Sequence, residues 1–198
     1  FSAVCTAAAC GLAASWLAPR VGTPAAIAGA FVAGTMSSVW LNATETEVYA
    51  ASLLLSVAMV VAGIRAGEAV PGDPRWRALT AYLMVLAVPL HLSALVAAPA
   101  AIYAASSGAG GTADARWAWR RALALTGAML VAIARGRLIR LSAIAGAVML
   151  AWGTGRWRLL AAALLAASPL MVLLLRARLD PWVNQGNPAS WDSLAEVV

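Results

Sequence analysis

The stretch TETEVYAASLLLSVAMVVAGIR, residues 44–65, decides how the chain is read. Two carboxylates, Glu45 and Glu47, stand at the mouth of an uncharged run, Ala50 to Ile64, which ends at Arg65. A helix of that composition has no polar face to offer water, so its body belongs in hydrocarbon and its ends at interfaces. Thr44 and Glu47 have the spacing of a capping box, in which hydroxyl and carboxylate satisfy each other's backbone N–H groups, and the helix dipole favours a carboxylate there. The competing reading gives Glu45 or Glu47 a working role at the membrane surface, where a carboxylate could position a divalent metal, a sugar hydroxyl or an attacking hydroxyl group.

The rest of the chain agrees with a membrane setting. Its 198 residues are 63% hydrophobic and 11% charged, with mean hydropathy +0.82, whereas soluble domains are about 45–50% apolar. The composition predicts an all-α, polytopic integral membrane helical bundle, with about seven runs, some short, set against about 20 apolar residues per crossing. Residues 1–18 are apolar, and Pro19-Arg20 is expected to stop the first helix. Ala25 to Leu41 follows, with Gly29, Ala33 and Gly34 as small residues expected to pack it inside the bundle. After the opening stretch comes the loop AGEAVPGDPRWR, residues 66–77.

Residues 78–106 are too long for one comfortable span and short for two. Pro89 and His91 interrupt them, which favours two short re-entrant helices meeting at 89–93 over one tilted, Pro-kinked helix. SSGAGGTADA, residues 106–115, reads as a linker. Ala122 to Ala134, Leu141 to Trp152 and Leu159 to Leu175 read as further spans. The transmembrane domain is thus 1–178. Residues 179–198 form an extracytoplasmic tail in which Ser190 or Asp192 caps a short helix.

All fourteen basic residues are arginines, and they cluster at span ends. They act as topology signals and headgroup contacts to membrane lipid, which excludes an open nucleic-acid surface. Under alternating topology the loops around Arg20, Arg65 to Arg77 and Arg116 to Arg121 carry every arginine before residue 122, and the loops at 42–46 and 90–92 carry none. The arginine loops are therefore cytoplasmic and TETEVYA lies outside. Cys5 and Cys10 are about 500° apart around a helix, on different faces, which argues against a local disulfide or metal pair and for small buried side chains.

His91 is the single histidine, set between leucines in the expected intramembrane turn. Ionisable groups at that depth line cavities or pathways, unless the ring is bonded to a backbone carbonyl. It shares a side with Glu47, but two groups are too few ligands for a metal site. Arg176 and Arg178, at the outer end of the last span, suit a phosphate through charge-assisted bonds, or serve as interfacial anchors. The sequence holds no Walker loop, dinucleotide fingerprint, Ser/His/Asp set or CxxC pair.

FSAVC at the start, GAFVAGTMSSVWLNATETEVYA, AYLMVLAVPLHLS and LRARLDPWVNQGNPASW resemble, in that order, the bacterial relatives of the transmembrane protein O-mannosyltransferases. EVYA at 47–50, HLS at 91–93 and Asn187, Pro188 and Trp191 are the most specific pieces. The resemblance implies a GT-C type glycosyltransferase of the bacterial cytoplasmic membrane, in which this chain is a partial transmembrane module. Such an enzyme takes a sugar from a polyprenyl-phosphate carrier and gives it to a protein or glycan acceptor on the extracytoplasmic side. It implies no certain cofactor, and it places the main catalytic acid in an Asp-x-Gly-Glu type segment preceding Phe1, so the chain is expected to be part of a longer protein. Glu47 and His91 would support catalysis, while Glu45, Tyr49, Arg176 and Arg178 would contact substrate. Pro89-Leu90 stands where the family typically has Gly-Asn. A transporter or flippase, expected to show internal repeats and broken helices, and a non-catalytic membrane scaffold are the other classes open to this composition.

Overall fold

The computed structural model describes residues 1–45, 48–69, 75–107, 156–179, 181–182 and 186–197, and among these every regular element is helical. In chain order they are α1 (Ser2–Val21), α2 (Thr23–Thr35), α3 (Ser37–Thr44), α4 (Tyr49–Glu68), α5 (Arg75–Leu90), a 3-10 helix (Leu92–Ala97), α6 (Ala98–Ser106), α7 (Arg156–Arg178) and α8 (Trp191–Val197). α1 and α4 are each long and apolar enough to cross a membrane, and α2 with α3 makes a third crossing if the bent pair is one span. The expected span Leu159 to Leu175 falls within α7, whereas Ala122 to Ala134, Leu141 to Trp152 and most of the 106–115 linker lie outside the described residues. About seven spans therefore reduce, among the described residues, to two or three long apolar helices and several shorter ones.

Two contacts fix the direction of the first helices. Cys5, near the start of α1, packs with Ala50 and Ala51 at the start of α4. At the other ends, Arg20 forms an ion pair with Glu68, which also lies 3.9 Å from Arg65. α1 and α4 are consequently parallel, and α2 and α3 are the return stroke between them. Arg20 is further held by its hydrogen bond to the Trp16 carbonyl (2.7 Å) and by its position 4.2 Å over the Trp16 ring.

The return stroke departs from the sequence reading in three ways. Pro19 does not stop α1, which continues to Val21 and ends at Gly22, where φ of 87° suits a residue without a Cβ. The run Ala25 to Leu41 is not straight: α2 and α3 meet at 67°. There the Thr35 hydroxyl bonds back to the carbonyls of Phe31 and Val32, and Met36 takes an extended ψ of 137°, a known way to break a helix. α2 also does not sit inside the bundle, since only Ala26 is buried. Of its two glycines, Gly34 makes a close approach, to the Cys10 sulfur, while Gly29 faces open space. An apolar groove of about 520 Å³ remains between α1 and the α2–α3 elbow, lined by Thr6, Cys10, Phe31 and Trp40 among others.

The core lies on the other side of α4. Leu55, Met59, Gly63 and Ala66 recur at helical spacing and are buried; Leu55, Met59 and Ala66 pack with α5, the 3-10 helix and α6, and Gly63 meets α6. Met59, Met84, Ile102 and Thr80 are the largest fully enclosed side chains. α6 offers a face of alanines, Ala94, Ala98, Ala101 and Ala105 counted from the 3-10 turn, all at most 2% exposed. Such a face lets backbones meet closely where lipid gives no hydrophobic drive for association. At Gly63 the approach reaches the backbone of Ala101 itself.

This contact settles how residues 78–106 run. α5 climbs from the arginine end to His91, and residues 92–106 return along α4, with Ser93 beside Ser52 at one level and Ala101 beside Gly63 at the other. Two opposed arms, not one kinked helix, account for the segment. The break falls at His91, whose φ of −170° and ψ of 123° end α5, while Pro89 is accommodated within the last turn of α5.

Gly63→Ala is expected to destabilise the fold by about 1–3 kcal/mol, because a methyl at this position overlaps backbone that cannot swing aside. Gly29→Ala, in open space, should be neutral or stabilising by up to about 1 kcal/mol through helix propensity. Thermal unfolding of both variants in the same detergent checks the contrast.

Candidate functional site

The end of the bundle opposite Arg20, Arg65 and Glu68 is where α3 gives way to α4 and α5 to the 3-10 helix. Both breaks bring polar side chains to one level. Tyr49 is the first residue of α4, and its ring meets the His91 ring edge to face, with centroids 5.1 Å apart. One turn further along α4, Ser52 is buried, and its hydroxyl lies 2.7 Å from the hydroxyl of Ser93. The Ser93 hydroxyl in turn lies 2.6 Å from His91 Nδ1. The Ser93 backbone N–H also donates to Nδ1, at 3.3 Å.

Local rules explain why the cluster forms. His91 occupies the N-cap of the 3-10 helix with extended backbone angles, and its ring nitrogen accepts from the residue two places on, the work usually done by a Ser or Asp oxygen. Serine in an apolar helix must find a partner once out of water. Ser56 finds one in the Ser52 carbonyl, at 2.8 Å, while Ser52 turns its hydroxyl to Ser93. A satisfied histidine bonded to a backbone carbonyl is therefore not what is found. The ring instead accepts from a backbone N–H.

The sequence-derived site residues are distributed unevenly around this cluster. Tyr49 and His91 are brought together. Glu45 is exposed at the C-cap of α3, on the same side. Glu47 lies outside the described residues, as does Thr46. Thr44 is not the N-cap of α4, and Glu47, its expected capping-box partner, lies outside the described residues: Thr44 is the last residue of α3, and its hydroxyl bonds back to the carbonyls of Trp40 (3.3 Å) and Leu41 (2.9 Å). α4 starts instead with Val48 at its N-cap and no side-chain cap. Among the described residues no three His, Cys, Asp or Glu side chains gather as a metal set.

Arg176 and Arg178 are exposed at the C-terminal end of α7, which packs on α5 through Ala166 against Val85. Arg178 anchors the tail, its Nε donating to the Ala189 carbonyl at 3.0 Å. In that tail Ser190 caps α8: its hydroxyl accepts from the Ser193 N–H, and the Ser193 hydroxyl accepts from the Ser190 N–H. Asp192 lies inside the first turn of α8.

Ser52 is the residue that sequence reasoning missed. Its only signal was that it and Ser56 interrupt an otherwise aliphatic run one turn apart.

Fold and site together define an all-helical protein with membrane-length apolar helices and a hydrogen-bonded histidine–serine–serine chain at the end away from its arginines. Residues 2–108 match the family described as Protein O-mannosyl-transferase TMEM260 N-terminal domain, slightly more than half of the chain, and the chain belongs to that family. The matched segment contains Tyr49, Ser52, His91 and Ser93 and stops before Arg176 and Arg178. No curated protein and no solved structure matches the chain significantly.

Ser52→Ala and Ser93→Ala should not be additive. A double-mutant cycle on unfolding free energy is expected to return a coupling of about 0.5–1.5 kcal/mol, the worth of one partly buried hydrogen bond. Strict additivity in denaturant unfolding would mean the two hydroxyls do not bond.

Proposed function

We propose that the chain is the partial transmembrane module of a GT-C type, protein O-mannosyltransferase-like enzyme. Its substrates are a sugar carried on polyprenyl phosphate and a hydroxyl of a protein or glycan acceptor, and it works at the outer face of a bacterial cytoplasmic membrane. The observation that carries this reading is the family match over the segment that builds the Tyr49–His91 cluster. The charge pattern supports the orientation: Arg20, Arg65 and Arg75 mark one end of the bundle, and the cluster lies at the other.

The chemistry is a displacement at the anomeric carbon. The acceptor oxygen forms a bond to that carbon while the bond from carbon to the phosphate oxygen breaks, and the phosphate leaves with the electron pair as polyprenyl phosphate. The acceptor's hydroxyl proton goes to a carboxylate acting as general base, which the resemblance places in a segment preceding Phe1. Glu47 and His91 support the pocket from this chain, and Glu45 and Tyr49 offer an acceptor and an aromatic face to the sugar. Arg176 and Arg178 steady the phosphate by charge.

The test is sugar transfer by the full-length protein in membranes, from a mannosylated prenyl phosphate to a hydroxyl-bearing peptide. Glu47→Gln and Tyr49→Ala should each lower transfer, by about 10–100-fold for a polar contact made in the transition state. A cysteine replacing Glu45 should react with an impermeant thiol reagent added outside, and one replacing Arg65 should not. Normal transfer by Glu47→Gln removes that residue from the mechanism. Wild-type protein that moves no sugar from any prenyl phosphate overturns the reading.

A further inference from the structure

The hydrogen bonds around His91 fix more than its position. A backbone N–H can only donate, so the bond from the Ser93 N–H makes Nδ1 an acceptor. With Nδ1 as acceptor, the 2.6 Å contact is read as the Ser93 hydroxyl donating to Nδ1, which leaves its lone pairs to accept from Ser52. The direction of the chain runs Ser52 to Ser93 to Nδ1. A ring whose Nδ1 is occupied in this way carries its proton on Nε2, at the opposite edge. Among the described residues Nε2 has no hydrogen-bond partner. Because a protonated Nε2 has no lone pair, it cannot take a proton from an acceptor hydroxyl, and it can only donate.

In the transfer proposed above, the atom that gains negative charge is the phosphate oxygen released from the anomeric carbon. We propose that His91 presents Nε2–H as a fixed hydrogen-bond donor to a phosphate oxygen of the prenyl-linked substrate, with Ser93 and Ser52 as positioning residues that hold the ring and its tautomer. This rests on the glycosyl-transfer reading for the identity of the phosphate, whereas the tautomer rests on the hydrogen bonds alone. The device is pre-organised. The cap that starts the 3-10 helix is also what aims the donor, so no reorganisation is needed as charge develops.

Two measurements on the full-length protein test it. The first is nitrogen NMR of protein labelled at histidine, the His91 signals being assigned by their loss in His91→Asn. An unprotonated Nδ1 and a protonated Nε2 are expected, with the Nε2 signal shifting on addition of a short-chain prenyl phosphate but not of the matching prenol or free mannose. A protonated Nδ1, or an Nε2 signal indifferent to prenyl phosphate, overturns the proposal even if the protein transfers sugar. The second separates capping from donation. His91→Asn keeps an acceptor oxygen for the Ser93 N–H but loses Nε2–H, and His91→Gln can return an N–H to that position. His91→Asn should fold normally and lose about 10²-fold or more in kcat with little change in KM. His91→Gln should recover part of the loss, and Ser93→Ala should fall between the two. Equal activity of His91→Asn and wild type would reduce His91 to a helix cap and leave the glycosyl-transfer reading standing.

Discussion

Everything at the polar end of this protein depends on a contact near the other end, where the backbone of Ala101 lies directly on Gly63. No side chain intervenes at this point, so α6 and α4 meet backbone to backbone there, and residues 92–106 run back along α4. From that alignment Ser93 arrives beside Ser52, and His91, two residues earlier, arrives against Tyr49. In hydrocarbon, packing of small residues replaces the hydrophobic drive that orders soluble cores, and here glycine and alanine bring α4 and α6 together beside Leu55, Met59 and Ile102 in the same core.

The polar cluster is the other consequence of a dry interior. The Ser52 hydroxyl, withdrawn from water, needs a partner, and finds it in Ser93, which is exposed. Ser52, Ser93 and His91 form a chain of contacts at 2.7 and 2.6 Å, and the Ser93 backbone N–H also meets the His91 ring. At the opposite end Arg20, Glu68, Arg65 and Trp16 lock α1 to α4 with charges and an aromatic face, as suits an interface where such groups stay hydrated. The two ends therefore differ in kind, one carrying charged pairs and the other a hydrogen-bonded chain that runs from buried Ser52 to exposed Ser93 and half-buried His91.

Helix existence was plain from composition, because apolar runs of this length have only one way to satisfy their backbone in lipid. Helix ends were harder to read. Pro19 and Pro89 both looked like stops and both lie inside helices; Gly22 and His91 are where the chain turns. Thr44 looked like the start of α4 and is the end of α3, because a threonine hydroxyl serves the carbonyls behind it as readily as the N–H groups ahead. The elbow at Met36 had no strong signal, since Thr35 and Gly34 are tolerated in straight helices as well.

The sequence by itself determined that the chain is helical and apolar, which of its runs end in arginine, and, through residues 2–108, its family. Periodicity, charge and local motifs carry these, and none requires knowing which helix touches which. Only the tertiary structure decided that α1 and α4 are parallel, that residues 78–106 are two opposed arms, and that Ser52 belongs with His91 and Ser93. Each of those turns on a contact between residues far apart in the chain, Arg20 with Glu68, Gly63 with Ala101, Ser52 with Ser93. A serine in an apolar helix announces that it needs a partner, but not where the partner is.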